Sequence, residues 1–235
     1  MTTIERENVL SQFPALGTWS ESDKLSAIRS PRIKSVISLA LGPQGTNIAL
    51  AADKWHQTVG IEDKARIILT DLPETAVNWA RELDSPGTLP VFWTCAVFAR
   101  LYRLFFEQPD ILPFFFIHEM KLDEMQLAAN PEDVETVRHL MLVKENMRGI
   151  RLASHISPTP LLTPLVKMGA KIIDVKSNAD AAEQCRRQEV EACVTTRSAC
   201  DLYSLKTLHS FGSPPMIFFG GITANGLREL DKTGC

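Results

Sequence analysis

The sequence lacks the features that would each announce a function. Its longest apolar run, Ile111-Leu-Pro-Phe-Phe-Phe-Ile117, is interrupted by Pro113. It falls far short of the roughly 20 residues a membrane-spanning helix needs. Positive charge is not in excess: 25 Lys and Arg stand against 28 Asp and Glu, a formal net charge of −3. No basic patch interleaved with aromatics marks a nucleic-acid or anionic-membrane partner. The five cysteines, Cys95, Cys185, Cys193, Cys200 and Cys235, are odd in number and contain no CxxC pair. Neither a disulfide framework nor a metal site is expected, and a reducing cytoplasm is the expected compartment. The opening MTTIERENVL is charged and has no apolar centre, so it is not expected to act as a secretory signal. No internal repeat or low-complexity block is visible, and no zinc-ligand spacing or Ser-His-Asp set can be drawn.

What is there is an ordinary globular composition, 45% hydrophobic and 23% charged over 235 residues. That length can bury one large core or two smaller ones. Organisation begins at Leu41-Gly-Pro-Gln-Gly-Thr46, which follows the apolar run Val36–Ala40 and precedes the helix-forming Asn47–Ala52. This order reads as strand, tight turn and helix. Gly42 and Gly45 permit unusual backbone dihedrals, Pro43 fixes one, and Thr46 is placed to cap the helix. A helix N-terminus there favours an anionic ligand group, although many such turns only turn the chain.

Before this motif, residues 1–34 read as a polar N-terminal extension with a weak helical pattern around Ile4, Leu10 and Phe13. After it, strands are expected at 66–70, 89–95, 111–120, 125–129, 150–153, 171–175, 192–195 and 216–219. Helices are expected after Pro73, around 100–106, from Pro131 to 143, from Thr159 to Met168 with Gly169 as its stop, from 179 to 188 with Asn178 as N-cap, and near 198–203. Residues 220–235 read as a loose, Gly-rich tail. Alternating strands and helices imply an α/β fold with mainly parallel sheets. Sites in such folds lie at the C-terminal ends of strands. That singles out Gln44-Gly45-Thr46, Trp93-Thr94, Ser154–Pro158, Lys176-Ser177 and Thr195-Thr196.

These stretches carry a resemblance. Leu41–Thr46 is similar to the LGPxGT opening of the prephenate dehydratase catalytic domain. Ser154-His-Ile-Ser-Pro158 resembles the serine-containing helix entry of that family's second lobe. Ser177-Asn-Ala-Asp-Ala-Ala182 resembles its serine-plus-alanine helix start, and Ala192–Thr196 through Leu202–Leu205 resembles the strand and helix near its Tyr-Gly-Leu element. Order and spacing match over roughly residues 35–222. The resemblance implies a two-lobed fold of the type II periplasmic-binding-protein kind. Lobe one is expected to comprise 35–113 and 206–222, lobe two 114–205, with a flexible tail over 223–235.

One departure selects a branch. The dehydratases carry a Thr-Arg-Phe signature whose threonine is the acid for loss of the ring hydroxyl, and this chain has Ser213-Pro-Pro-Met-Ile-Phe-Phe-Gly220 instead. It resembles more closely the non-aromatising prephenate decarboxylases of bacilysin-type and aeruginosin-type biosynthesis. That implies a cofactor-free lyase, decarboxylation with allylic double-bond migration, and a dihydro-4-hydroxyphenylpyruvate product. No regulatory ACT-type domain is expected after residue 222. Two further departures are the apolar run Val91–Phe98, where the family has a polar stretch, and the aromatic segment Phe114–Ile117. Burial of that segment suggests a homodimer.

Prephenate has two carboxylates, so helix starts and hydroxyls suit it. Gln44, Gly45, Thr46, Ser157, Ser177 and Thr195 are the candidate contacts, though capping alone also explains a Ser or Thr before a helix. Arg197, at the end of the 192–195 strand, is the candidate cation, with Arg100, Arg103 and Lys121 as others. Trp93, Thr94, Met216 and Phe218 are candidates for the wall beside the ring, although such residues in strands are more often core. His155 and Thr196 are the candidate proton-handling residues. Cys95 reads as a buried small hydrophobe. Three other readings stay open: a dehydratase with a relocated acid at His155 or Thr196, the same fold on another substrate, and a ligand-binding module without catalysis.

Overall fold

The computed structural model describes residues 19–42, 46–98, 100–143 and 146–233. They form two α/β units. The first comprises the described residues up to 42 with Ile48–Met120 and Ile217–Cys235, and the second comprises Lys121–Met216 with residues 46 and 47. The segments around Ile4, Leu10 and Phe13, and Pro43-Gln44-Gly45 of the opening turn, lie outside the described residues.

The first unit begins with α1 (Glu21–Arg29), which the capping box Ser20-x-x-Asp23 starts: Ser20 Oγ accepts from Asp23 N at 3.1 Å, and Asp23 Oδ2 accepts from Ser20 N at 3.0 Å. Part of the predicted extension is therefore a helix, and it buries Ala27 and Ile28. Next come β1 (Ser35–Leu41), α2 (Asn47–Val59), β2 (Ala65–Thr70), α3 (Pro73–Glu82), β3 (Thr88–Cys95), α4 (Leu101–Phe106) and β4 (Ile111–Lys121). The sheet is closed by β10 (Pro215–Thr223), giving the order β2-β1-β3-β10-β4. Strand β1 lies parallel to β2 and β3, and β10 runs antiparallel to β3. The expected parallel arrangement thus holds among β2, β1 and β3 and ends at β10.

Both faces of β1 and β3 are covered, which is why they read as continuous apolar runs rather than alternating ones. On one face Ile37, Leu39 and Phe92 pack with Ala76, Val77 and Ala80 of α3. On the other, Trp93 meets Trp55 of α2, their ring centroids 5.1 Å apart. The two large β3 rings need glycine on the neighbouring strand. A Cβ at Gly221 would lie 2.1 Å from Phe92 Cζ, and one at Gly220 would lie 2.9 Å from Val91 Cγ1 and 3.2 Å from Trp93 Cζ2. Glycines read as signs of a loose tail are thus the places where β10 passes beneath aromatic rings.

The tail is regular structure further on as well, through Asp231. Strand β10 runs into α9 (Ala224–Asp231), with Thr223 as N-cap and Leu227 and Leu230 buried. The aromatic segment that suggested a homodimer is buried in part within its own unit, with Ile117 left 54% exposed. Phe115 and Phe116 are buried, and Phe114 packs on Phe219 at 4.2 Å between centroids.

The second unit contains β5 (Met125–Ala129), α5 (Val134–Val143), β6 (Arg151–Ser154), a 3₁₀ turn (Thr159–Leu162) leading into α6 (Thr163–Lys167), β7 (Lys171–Asp174), α7 (Asn178–Arg186), β8 (Ala192–Thr196), α8 (Arg197–Leu202) and β9 (Lys206–Gly212). Gly169, at φ 106°, ends α6 as expected. The sheet order is β7-β6-β8-β5-β9, with β7, β6 and β8 parallel and β5 antiparallel to both neighbours. Strand β9 is unforeseen, and it moves residues 206–216 into this unit; likewise 114–120 belong to the first. Alternation along β5 and β8 splits the core. Leu127 and Val194 join Val137, Leu152, Leu162 and Leu165 on one face, while Ala128 and Cys193 join Ala181, Ala182 and Cys185 of α7 on the other.

Candidate functional site

In the second unit, the neighbouring parallel strands β7, β6 and β8 end side by side, and each hands the chain to a helix or turn. This edge gathers His155, Ser157, Ser177, Thr195, Thr196 and Arg197. After β6, the Ser154 hydroxyl donates to His155 O at 2.9 Å, and Thr159 Oγ1 reaches the same carbonyl at 2.9 Å. The resulting turn brings the Ser157 N–H to His155 Nδ1 at 3.4 Å. With Nδ1 accepting, the proton of a neutral ring belongs on Nε2. Burial lowers the His155 pKa, opposed by the charge of Asp174, so the imidazole is neutral at pH 7.

After β7, the N-cap of α7 is Ser177 rather than Asn178: Ser177 Oγ accepts from Asp180 N at 3.1 Å, and Asp180 Oδ2 accepts from Lys176 N at 3.0 Å. Both Ser and Asn are good N-caps, and Asp180 three residues on is the signal favouring Ser177. Asn178 becomes the first helical residue. Its main-chain carbonyl accepts from the buried Thr195 hydroxyl at 2.7 Å, which ties the start of α7 to the end of β8.

After β8, Thr196 Oγ1 caps α8, accepting from Ala199 N at 3.3 Å. Arg197 is not the open cation the sequence suggested. Its Nη1 lies 2.9 Å from Glu124 Oε2, and the Glu124 carboxylate also accepts from the Ser210 hydroxyl. The Ser198 N–H donates to Asp123 Oδ2 at 2.9 Å. The chain's own Asp123-Glu124 therefore occupies the place proposed for a ligand carboxylate. Nothing local announces this, because the partners are more than seventy positions apart in sequence.

Thr46, which belongs to the second unit, is half-buried directly before α2, while Gln44 and Gly45 lie outside the described residues. Trp93 and Phe218 are each 1% exposed and belong to the interior. Trp93 Nε1–H donates to Ser38 Oγ at 3.0 Å, and that hydroxyl is 2.7 Å from His56 Nε2. Thr94 is equally buried, and its Oγ1 has no hydrogen-bond partner among the described residues. Met216 is half-buried, and Cys95 is partly exposed rather than enclosed. Arg100 stands 3.7 Å from Glu74, and Arg103 3.6 Å from Glu107, so both are paired. Among the described residues no cluster of His, Cys, Asp and Glu is arranged to hold a metal ion, and no described helix is long and apolar enough to cross a membrane.

No protein-family model and no curated protein sequence matches the chain. Solved structures do. The periplasmic VFT2 domain of Bordetella pertussis BvgS aligns over 93% of this chain and 94% of its own, with 13% identity and a TM-score of 0.51. R. palustris Rpa4515 with adipate aligns over 85% of this chain and 81% of its own, with 11% identity and a TM-score of 0.52. The fold is of the periplasmic-binding kind. Prephenate dehydratase from Staphylococcus aureus Mu50 aligns over 80% of this chain and 66% of its own, at 11% identity and a TM-score of 0.48. At such identities the likeness is one of fold.

Proposed function

We propose that this chain is a cofactor-free lyase that decarboxylates prephenate, or a close analogue, without aromatising it, and that it works in a reducing cytoplasm as part of a specialised biosynthetic route. The observation that carries the reading is the character of the edge formed by β7, β6 and β8. Ser157 and Ser177 carry neutral hydroxyl groups, His155 is held neutral, and the first turn of α7 offers N–H groups that lack intrahelical partners. A carboxylate can be held by such groups and by the positive end of the nine-residue α7.

In prephenate the competing reaction is loss of the ring hydroxyl, which an acid promotes. A neutral imidazole with a lowered pKa is a poor acid at pH 7, so this edge favours release of carbon dioxide over release of water. Sequence supports the same choice, since Thr-Arg-Phe is replaced by the Ser213–Gly220 segment. Thr195, Thr196 and Arg197 leave the proposed contact set: the two threonines are buried, Thr195 donating to the Asn178 carbonyl and Thr196 capping α8, and Arg197 is paired with Glu124.

A second reading has its own support. One structure of this fold is R. palustris Rpa4515 with adipate, and a binding module for small dicarboxylates needs no catalytic group. Incubation with prephenate, followed by absorbance and mass, separates the readings. A dihydro keto acid supports the lyase. Phenylpyruvate means a dehydratase, stabilisation without turnover means a binding module, and an inert protein overturns all three.

A further inference from the structure

In the first unit, α9 buries Leu227 and Leu230 and presents a polar face opposite them. Asn225, Arg228, Glu229 and Lys232 recur at the three- and four-residue spacing that stacks side chains along one side of a helix. With Asp84, Ser85 and Pro86, from the connection between α3 and β3, they line a depression of about 200 Å³. Its charges are unevenly matched. Lys232 is paired with Glu229, whose Oε2 also accepts from Gly87 N at 3.3 Å. Asp84 accepts from the Thr223 hydroxyl, and Arg228 Nη2 donates to Asn225 Oδ1 at 2.7 Å. Neither Asp84 nor Arg228 has an opposite charge within ion-pair distance among the described residues. Burial is the main reason the Asp84 pKa is raised, and the Glu229 charge adds to it, against the Thr223 hydroxyl and Arg228. One cavity therefore holds an acid and a base that do not meet.

We infer that this depression is a second binding site, for a small α-amino acid zwitterion, with its carboxylate on Arg228 and its ammonium on Asp84. A guanidinium offers parallel N–H donors in a plane that matches a carboxylate, and Asn225 steadies this one through a single nitrogen. An ionised Asp84 only accepts, which suits an ammonium and rejects a second anion. An α-amino acid carries both charges close together, so one molecule completes both side chains. A simple carboxylate would leave its negative charge beside Asp84, and a simple amine would leave Arg228 unmatched. Size limits the side chain. Pockets for drug-sized ligands run about 300–1,000 Å³, so a depression this small takes a short one. Pro86 is the one apolar residue of the lining, which favours glycine, alanine or serine over branched or aromatic amino acids. The site belongs to the first unit and stands whether or not the second unit's strand ends hold a substrate.

The test uses the whole protein, isotope-labelled for NMR, with L-alanine as the probe. Propionate and ethylammonium, each carrying one of its two charges, serve as half-ligands at equal ionic strength. Amide resonances of Gly87 and of residues 225–232 should move with L-alanine and saturate with a dissociation constant on the order of a millimolar. Each half-ligand should bind about tenfold more weakly, or not at all. Arg228→Gln removes the cation from an exposed position and should weaken L-alanine about tenfold. Asp84→Asn keeps an acceptor for Thr223 while losing the charge, and it should weaken L-alanine by as much. If Asp84→Asn fails to fold, Arg228→Gln decides alone. Propionate binding as tightly as L-alanine, unchanged affinity in Arg228→Gln, or no movement of these resonances by about 10 mM overturns the inference.

Discussion

Ser38 Oγ and His56 Nε2 lie 2.7 Å apart in the interior of the first unit, both almost wholly enclosed. Trp93 donates to the same hydroxyl, and an indole can only donate. With the indole on one lone pair, the serine hydroxyl and His56 Nε2 share the remaining hydrogen bond, whose direction is set by the imidazole tautomer. Burial lowers the His56 pKa, with Asp53 and Glu62 opposing.

That relationship sets a pH dependence. The folded state takes a proton on His56 less readily than the unfolded state, whose histidine titrates near 6.5. Stability from this group is thus fully present above that pH and is lost progressively as pH falls from there toward the lowered folded value. His118 and His155 are shifted the same way, so they add to the slope. Urea melts at pH 7.5 and pH 5.5 should show lower stability at the acid value, and His56→Gln should flatten part of that difference. Equal pH dependence in the variant would show that His56 does not contribute.

Ser38→Ala removes one partner from two others, leaving the Trp93 N–H and the His56 nitrogen buried without a hydrogen bond. The expected loss is about 1–3 kcal/mol, more than deletion of an exposed hydroxyl causes. A chemical-denaturation midpoint within error of the wild type would contradict the assignment.

Legibility in sequence followed burial and sequence distance. Strands β1, β3, β5 and β8 stand out because helices cover both faces, so their residues are apolar throughout. Strand β9 is hidden because it is an edge strand, mostly exposed, whose Lys206, Thr207, His209 and Ser210 look like loop residues. Helix α9 is masked by Gly226, a poor helix former, yet Thr223 caps it and Leu227 and Leu230 face the core. The opening of α7 was partly legible, since both candidate caps were visible and Asp180 decides between them. The Arg197–Glu124 pair was not, because only tertiary structure brings the two together.

Gly221 tests the packing of β10. A methyl there would overlap the Phe92 ring, whose Cζ is 2.1 Å from the ideal Cβ position, so the ring or strand has to move. Gly221→Ala should cost about 1–3 kcal/mol through overpacking, read as a lower thermal midpoint. Phe92→Leu in the same chain should recover part of the loss, because it vacates the space the methyl needs. No recovery would place the strain elsewhere.

Arg197 is expected to be dispensable for ligand. Its guanidinium is largely exposed and already paired with Glu124, and such surface pairs add little to stability. Arg197→Ala should leave both the melt and the affinity for carboxylate ligands unchanged within error. A loss of affinity without a loss of stability would restore the residue to the contact set.

Ser177 separates capping from ligand binding, two roles that sequence alone cannot distinguish. Its Oγ accepts the Asp180 N–H, and the same position faces whatever anion docks at the start of α7. Ser177→Ala removes both functions and should cost about 1 kcal/mol of stability together with affinity. Ser177→Asp is the discriminating change. Aspartate is as good an N-cap as serine, and its charge suits the helix dipole, so stability should hold. A fixed carboxylate at that point repels an incoming one, and affinity for a dianion should fall about tenfold or more. Two measurements on one variant, a denaturant melt and a titration, therefore decide the matter. Stability and affinity falling together would make Ser177 a cap alone, with the melt accounting for lost binding. Stability kept and affinity lost would put the ligand's carboxylate at the first turn of α7. If both are kept, the anion binds away from α7, and the proposed site has to be sought at another strand end.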